Sequence, residues 1–378
     1  MSKLSIRKGT SQHRDPVQAA EELHAAIWQP DLKLAVFYCA ADYDLPALAA
    51  ALHARFGDVN LVGCTTAGEI TPQGYLAGAL TGFSLASPGL DVGTALMPLR
   101  PFDAQATSDK VNALLRGLGE RDGLPASATD TFAFLLIDGL AMQEELVVSA
   151  IHSQLNGIEL IGGSAADDTR FGATHIYHGG RFHQNVLLLN LVRTDQPFVA
   201  FRTQHFVQSD KRMVVTKADP ATRVVYQING RPAAREFARL VGLEITGLTP
   251  MIFATHPVVV RVGGQYFVRS IARVNPDESL TFFCAIDEGI VLTIARGVDM
   301  VANLQKAFDE VHSSIGRPQL VLGCDCILRR LETEREGIKD QIGQIFADNN
   351  VIGFATYGEQ YNSMHVNQTF TGIAIGGA

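Results

Sequence analysis

The sequence predicts an α/β fold: two domains of mixed sheets flanked by helices, built from repeated strand-helix-strand-Gly loop-strand units. Three observations predict it. The 378-residue chain is long enough for about two to three domains. A glycine-punctuated decamer recurs along it, and each copy follows an apolar run and an amphipathic helix. We expect the domain boundary just before Pro197, where a charged segment ends, giving an N-terminal domain of residues 1–196 and a C-terminal domain of residues 197–378.

The decamers share an order of residue types: two apolar residues, a glycine, small or hydroxyl residues, and acidic residues near the end. They read LVGCTTAGEI from Leu61, LIGGSAADDT from Leu160 and VIGFATYGEQ from Val351. Glycine-punctuated strand ends are common, so resemblance between two decamers is weak support for a repeat. The flanking segments are what make the repeat convincing.

Upstream of each decamer lie a run typical of a buried strand and then a helix with apolar residues at helical spacing. A strand-helix-strand crossover favours parallel neighbours, and ligands usually bind at the carboxyl ends of such strands. We therefore expect the three glycine loops to surround a site. The strand runs are residues 32–40, 131–139 and 318–326, the helices are residues 45–57, 143–157 and 336–346, and the downstream apolar runs begin near residues 79, 185 and 370.

The region between the second and third units has a different character. Residues 197–216 alternate like two strands around a polar turn, with His205 and Phe206 on opposite sides of one strand. A helix that begins near Pro232 follows, then a meander of three strands over residues 258–286, broken by Gly263-Gly264 and Asn275-Pro276-Asp277. A helix over residues 299–316 leads into the third unit.

Composition narrows the possible partners. The formal net charge of −8 is spread along the chain, and no basic stripe predicts a nucleic-acid surface. No apolar stretch approaches the roughly 18 to 20 residues of a membrane span, and the first residues lack a secretory apolar region. These features predict a cytoplasmic protein without nucleic-acid or membrane partners. The five cysteines, an odd number in mostly apolar runs, indicate reduced thiols.

Several motifs resemble one known family. GCTTAGEI, the DGL that starts at Asp138, and GGSAADD resemble the N-terminal FIST domain; GCDCILRRLETE and GFATYGEQYNSMHVNQTFTG resemble the C-terminal FIST domain. The resemblance covers almost the whole chain. It implies a small-ligand sensory protein of bacterial signalling without catalytic activity. Stand-alone relatives of this kind imply haem b, nitric-oxide sensing, and a partner that is a sensor histidine kinase or a cyclic-di-GMP enzyme.

Haem binding, which rests on the resemblance, needs a neutral histidine or a thiolate facing an apolar pocket. His183 follows a histidine-rich segment and adjoins an apolar strand, so we expect it to bind the haem iron. His205 and His365 are the other candidates, and we expect His365 in the turn after the third glycine loop. For each histidine an ordinary surface or core role is the alternative. No zinc-type spacing is present, and the absence of Cys-x-x-Cys-His excludes covalent haem.

A second hypothesis is a site for an amino-acid-like ligand without haem. Arginine binds a carboxylate through two parallel hydrogen bonds, and the loop hydroxyls and carboxylates could complete such a site. The alternative is that the arginines pair with nearby glutamates. The expected ligand-binding residues are Thr65, Thr66, Glu69, Ser164, Asp167, Cys326, Arg329, Arg330, Thr356 and Glu359.

An enzyme has the least support, and we expect no catalytic residues. Cys64 as a nucleophile would be replaced by Gly163 and Phe354 in the sister loops, which favours a small semi-buried thiol instead. The arginines after Cys326 could lower its pKa, although packing under the loop is the simpler role. The loops lack a P-loop lysine, and Ser164 is not in a nucleophile elbow. Paired carboxylates at repeated corners suggest ligand binding or capping of backbone N–H groups rather than hydrolysis.

Overall fold

Three structural repeats and one inserted antiparallel region form the computed structural model, which describes residues 3–121 and 123–376. Each repeat runs edge strand, helix, strand, helical segment, strand, β-hairpin, strand. The first helix of each repeat begins after an aspartate, Asp15, Asp103 or Asp299, whose side chain accepts hydrogen bonds from backbone N–H groups of the first turn. Such N-caps satisfy donors that a helix start leaves unpaired. The predicted mixed α/β class is confirmed.

Repeats 1 and 2 follow one another directly, and the strands predicted at residues 32–40 and 131–139 are present in them. Repeat 1 comprises β1 (Ser5–Ser11), α1 (Pro16–Ile27), β2 (Leu32–Ala40), α2 (Leu45–Phe56), β3 (Leu61–Thr66), β4 (Glu69–Thr71), β5 (Gly74–Leu76) and β6 (Leu80–Ala86). Repeat 2 comprises β7 (Leu90–Pro98), α3 (Ala104–Gly117), β8 (Thr131–Ile137), α4 (Glu144–His152), β9 (Glu159–Ser164), β10 (Ile176–His178), β11 (Arg181–His183) and β12 (Val186–Thr194).

Repeat 3 is interrupted after its first strand, β13 (Phe198–Thr203), by the insert. The insert comprises β14 (Phe206–Asp219), β15 (Val224–Ile228), β16 (Arg231–Pro232), α5 (Ala233–Val241), a 3₁₀ turn (Ile245–Gly247), α6 (Pro250–Thr255), β17 (Val258–Val262), β18 (Gln265–Arg269), β19 (Ile271–Val274), β20 (Leu280–Phe282) and β21 (Val291–Gly297). Repeat 3 then resumes with α7 (Met300–Ile315), β22 (Leu320–Cys326), α8 (Ile327–Arg335), α9 (Lys339–Asp348), β23 (Val351–Thr356), β24 (Glu359–Tyr361), β25 (Met364–Val366) and β26 (Phe370–Ile375).

The three repeats form sheets of one topology. Strands β2 and β3, β8 and β9, and β22 and β23 are parallel pairs, which confirms the crossover predicted from the sequence. Their order is β1-β6-β2-β3 in sheet 1, β7-β12-β8-β9 in sheet 2 and β13-β26-β22-β23 in sheet 3. Every other strand pair within these sheets is antiparallel.

A cyclic exchange of hairpins completes the three sheets. Between each decamer and its downstream strand, where we expected only a short turn, the chain forms a hairpin that joins a neighbouring sheet. The hairpin β4-β5 of repeat 1 pairs with β23, β24-β25 of repeat 3 pairs with β9, and β10-β11 of repeat 2 pairs with β3. Each repeat therefore completes another repeat's sheet, and the three decamers are drawn to one place.

Each sheet packs on both faces. The inner faces of the three sheets share one apolar core, which includes Tyr38, Phe134 and Phe354. The outer faces carry helices: α1 and α2 on sheet 1, α3 and α4 on sheet 2, and α7 and α9 on sheet 3. Burial of both faces explains why the central strands are continuous apolar runs rather than alternating ones.

The insert differs from the sequence prediction in two places. His205 lies between β13 and β14 rather than on a strand, and β14 shifts register between Gln208 and Arg212. The rings of His205 and Phe206 are in contact, with centroids 4.0 Å apart, so the prediction that they face opposite sides is wrong. The meander has four strands rather than three, because the chain bends at buried Ser270, which hydrogen-bonds Asn367 and Gln368.

Candidate functional site

The three glycine loops meet at the carboxyl ends of the parallel strands. We call residues 65–69 corner 1, residues 164–168 corner 2 and residues 355–359 corner 3. Each corner donates or accepts backbone hydrogen bonds with both others, for example from Ala67 N to Ala355 O at 2.9 Å, from Ala166 N to Thr65 O at 3.0 Å, and from Ser164 N to Gly358 O at 2.9 Å. The convergence that the repeat predicted therefore occurs, and backbone groups fill its centre.

Corners 1 and 3 are closed in the same way. The hydroxyl of Thr66 donates to Glu69 at 2.5 Å, and that of Thr356 donates to Glu359 at 2.5 Å. The second carboxylate oxygen accepts from the N–H of Ala79 in corner 1, and from Thr369 in corner 3. Burial raises the pKa of Glu69 to about 7 and that of Glu359 to about 8. Both carboxyl groups are fully buried and bonded within the protein.

Corner 2 is built differently. Asp167 accepts from the N–H groups of Gly172 and Ala173 at 2.8 Å, and the Tyr357 hydroxyl of corner 3 donates to its other oxygen. Asp168, in the position of Glu69 and Glu359, instead turns outward to Arg330, with a 3.2 Å ion pair. Corner 2 thus organises the loop after it and faces solvent.

Arg330 also packs closely against corner 1. Gly68 has φ of +128°, and a Cβ added there would lie 2.9 Å from an Arg330 Nη atom. A glycine is required at that point both for its backbone conformation and for the close approach of the guanidinium. The other partner of Arg330 is Glu334, at 3.1 Å, so this arginine pairs within the chain.

Arg329 belongs to a buried series of hydrogen-bonded polar and charged side chains. Its guanidinium donates to Asp325 at 2.7 Å and to His205 Nδ1 at 2.8 Å, and His205 Nε2 lies 2.9 Å from Glu332. Tyr75 donates to the second oxygen of Asp325. Burial raises the pKa of Asp325 to about 6 and lowers the pKa of His205. These groups connect the hairpin of repeat 1, repeat 3 and the start of the insert.

A pocket of about 420 Å³ opens beside corners 2 and 3, where they face the insert. We call it the junction pocket. Its size falls within the ordinary range of small-molecule sites. The repeat side supplies Gly139, Leu140, Met142, Glu144, Phe171 and Tyr357, and the insert supplies Thr222, Arg223, Ala272, Arg273, Thr281, Phe282 and Phe283.

An ion-pair clamp crosses the wall of the junction pocket. Arg223 of the insert donates to Glu144 at 2.5 Å and to Glu145 at 2.8 Å, both at the start of α4, and to Phe283 O at 2.6 Å. Burial opposes its charge, but the two carboxylates raise the pKa of Arg223 above its ordinary value. The other oxygen of Glu144 accepts from the Ser164 hydroxyl at 3.3 Å, which links the clamp to corner 2.

Several residues of the pocket wall have a left-handed backbone conformation. Among the described residues other than Gly, Asn and Asp, five have positive φ, and three of these line the junction pocket: Met142 (56°), Phe171 (51°) and Arg223 (57°). The left-handed conformation costs an ordinary residue about 1–2 kcal/mol. Such positions cluster at functional sites, where surrounding structure holds them in place.

The three candidate haem histidines lie apart. His183 is half-buried on β11, with Nε2 3.1 Å from the carbonyl of His178. His205 is bonded through both ring nitrogens. His365 lies in β25 rather than in a turn; it is buried, its pKa is lowered by burial, and its Nε2 has no hydrogen-bond partner.

None of these histidines lines the junction pocket or the cleft of about 550 Å³ near His53 and His178. Haem binding therefore stays an expectation from the resemblance. Within residues 3–121 and 123–376, no group of three or more His, Cys, Asp or Glu side chains could hold a metal ion.

The surroundings of the cysteines indicate a structural role. All five thiols are free and buried, and burial raises the pKa of each. Cys326 precedes the first residue of α8, and the arginines after it do not lower its pKa. A protonated buried thiol is unreactive, because the thiolate is the nucleophile.

The structure brings seven of the ten expected ligand-binding residues into the corners: Thr65, Thr66, Glu69, Ser164, Asp167, Thr356 and Glu359. None of the ten lines the junction pocket, although Ser164 contacts Glu144 of its wall. Sequence reasoning missed Phe171, Tyr357, Arg223 and Arg273. An aromatic residue in the polar loop around Phe171 was the one available signal, because exposed aromatics often bind partners.

The fold and site define a class: an α/β protein of three strand-exchanged repeats, with a pocket between those repeats and an insert. Residues 33–231 match the FIST N domain and residues 233–362 match the FIST C domain. The chain therefore belongs to the FIST family, whose domains are associated with small-ligand sensing and signal transduction. Comparison with curated proteins gives no match. No helix of the described chain is long and apolar enough to cross a membrane.

Proposed function

We propose that this protein is a bacterial, non-catalytic small-ligand sensor whose ligand binds in the junction pocket. The proposal rests on one observation: the pocket is lined by two parts of the molecule. Corner 3 and the loops around corner 2 form one side, and the insert forms the other. A ligand there contacts both bodies. It therefore favours the arrangement of repeats and insert in which those contacts are best, and a ligand can shift an equilibrium only through such differential affinity.

The Arg223 clamp supplies a route for the signal. Glu144 joins the guanidinium of the insert to the hydroxyl of Ser164, and the backbone of Ser164 hydrogen-bonds Gly358 and Tyr357 of corner 3. A change in the position of the insert thus reaches two corners through contiguous polar contacts. The lining includes Arg273, which has no carboxylate partner in the described chain, so the pocket supports a ligand with a carboxylate, as in the amino-acid-like hypothesis, with Arg273 in place of Arg329 and Arg330.

A thermal-shift screen of metabolites tests the proposal. A ligand at about 100 times its Kd stabilises the folded protein by about 2.7 kcal/mol and so raises the Tm. Ala272→Phe, which fills the pocket without changing charge, should abolish the shift of any true ligand, while Ala221→Phe on the exposed surface of the insert should not. Shifts that survive Ala272→Phe, or a screen without any shift, would count against this pocket.

Haem-based nitric-oxide sensing is a finer proposal that rests on the FIST resemblance. Its support among the candidate histidines is the buried Nε2 of His365, which has no hydrogen-bond partner in the described chain. An absorption spectrum after addition of haemin tests it: a stoichiometric Soret band that shifts with nitric oxide and is lost in His365→Ala supports it, and no band removes it. The partner proposal, a sensor histidine kinase or a cyclic-di-GMP enzyme, is tested by assaying the partner's activity with and without this protein.

A further inference from the structure

The junction pocket has one aromatic wall. The ring of Phe171 stacks on that of Tyr357, with centroids 4.5 Å apart and planes 21° apart, and Phe283 of the insert lies 5.9 Å from Phe171. Phe171 is 45% exposed, although its ring is large and apolar. Aromatic rings attract other rings in offset or edge-on arrangements, and such pairs are more favourable than the burial of apolar area alone would make them. This wall suits a planar ring in the ligand.

The charges on the lining are unequal. Arg223 is neutralised by Glu144 and Glu145, so it offers little attraction to a further anion. Arg273, also on the lining, is exposed, and no carboxylate of the described chain lies within 4.0 Å of its guanidinium; its side chain donates only to the Asn275 amide oxygen. The lining therefore carries one arginine free to pair with an anion, and a guanidinium binds a carboxylate through parallel hydrogen bonds.

We propose that the ligand of the junction pocket is a small aromatic acid, whose ring packs on Phe171, Tyr357 and Phe283 and whose carboxylate pairs with Arg273. This inference rests on the proposed function and narrows it. The pocket of about 420 Å³ accommodates a ring with a short acidic chain. The Arg223–Glu144 clamp forms part of the wall beside this ligand.

Isothermal titration calorimetry with three probes that share a phenyl ring tests the proposal: phenylacetate, 2-phenylethanol and phenethylamine, which are anionic, neutral and cationic. Phenylacetate should bind one to one and at least about tenfold more tightly than either other probe, a difference of about 1.4 kcal/mol. Arg273→Gln should remove that advantage and leave the affinity for 2-phenylethanol unchanged. Arg273 is exposed, so this variant keeps the fold.

Two controls sharpen the experiment. Phe171→Leu should weaken all three probes, because it removes the stacking surface and keeps an apolar side chain. Arg261→Gln, on an exposed part of β17, should leave every affinity unchanged. Equal or tighter binding of phenethylamine, or a phenylacetate preference that survives Arg273→Gln, overturns the inference.

The two proposals fail separately. If the wild-type protein binds none of the three probes but the metabolite screen finds a ligand that Ala272→Phe abolishes, the aromatic-acid inference is wrong and the junction pocket remains the ligand site. If the screen also gives no ligand sensitive to Ala272→Phe, both proposals fall. Binding of phenylacetate that is lost in Ala272→Phe and weakened in Arg273→Gln supports both.

Discussion

Corners 1 and 3 differ from corner 2, although one repeating unit builds all three. In corners 1 and 3 a threonine hydroxyl holds a buried glutamate, Glu69 or Glu359, whose oxygens are bonded internally. In corner 2 the equivalent of that threonine is Ala165, and the equivalent of the glutamate is Asp168, which is 54% exposed in its side chain. The junction pocket opens beside corners 2 and 3: its lining includes Phe171, from the loop after corner 2, and Tyr357 of corner 3. The site therefore adjoins the corner that departs from the pattern of the others.

The polar residues of corners 1 and 3 therefore have a structural role, whereas those of corner 2 lie next to the proposed ligand site. A buried carboxyl group bonded on every side has no free oxygen for a ligand, and its role is to fix the loop. In corner 2, Asp167 instead holds the following loop, in which Phe171 adopts a left-handed backbone conformation, as Met142 does between β8 and α4. The predictions below test whether the closed corners and the open one differ in stability, in titration and in strain.

The largest expected difference is between two neighbouring arginines. Arg329 lies behind corner 3, because its partner Asp325 pairs in register with Ala355, and both its charge and that of Asp325 are fully buried. Removing one member of a buried ion pair costs about 3–5 kcal/mol, since the other charge loses its partner. Arg329→Met should therefore lower the free energy of unfolding by that amount, measured by urea denaturation.

Arg330→Met is the matched control. Its partners Asp168 and Glu334 are partly exposed, and ion pairs with exposed partners contribute about 1 kcal/mol or less. Its urea midpoint should therefore stay close to that of the wild-type protein. Losses of equal size for the two variants would contradict the assignment of Arg329 to a buried ion pair behind corner 3.

The second prediction concerns pH. The pKa values of Glu69 and Glu359 are raised by burial from 4.5 to about 7 and about 8, so the folded protein holds these protons more tightly than the unfolded chain. Their contribution is fully present below pH 4.5 and is lost as the pH rises through 7 and 8. The Tm of the wild-type protein should fall between pH 6.5 and about 8 and level off above that range.

The double variant Glu69→Gln/Glu359→Gln should lose much of that fall, since glutamine cannot ionise. Buried histidines such as His205 and His365 have lowered pKa values, so their effect on stability has the opposite sign and acts below about pH 6.5. Asp168→Asn, in the open corner, should retain the wild-type profile. An unchanged slope in the double variant would show that the closed corners do not titrate in this range.

Sequence patterns predicted what is local and repeated, and missed what depends on partners distant in the chain. The apolar runs at residues 32–40 and 131–139 gave their strands because both faces of each strand are buried. The hairpin exchange was missed, since short strands such as Met364–Val366 have too few residues to show a period. The roles of Thr66 and Glu69 depend on which atoms surround them. The junction pocket depends on Phe171 of repeat 2 and Arg223 of the insert, 52 residues apart in sequence, lining the same cavity.

The smallest expected effect probes backbone strain in the wall of the junction pocket, beside corner 2. Met142 has φ of 56° and is 49% exposed, so its side chain gains little from burial while its backbone occupies the left-handed region. Asparagine tolerates that region better than methionine. Met142→Asn should raise the free energy of unfolding of the ligand-free protein by about 0.5–1 kcal/mol. Leu146→Asn, an exposed helical site on α4, should instead lower it by about 0.5 kcal/mol, because asparagine is a poorer helix former than leucine. Urea denaturation of the two variants side by side gives the sign of the change in the free energy of unfolding for each. Destabilisation by both would mean that the surroundings of Met142, rather than its own backbone, determine its contribution, and that the pocket wall stores no strain there.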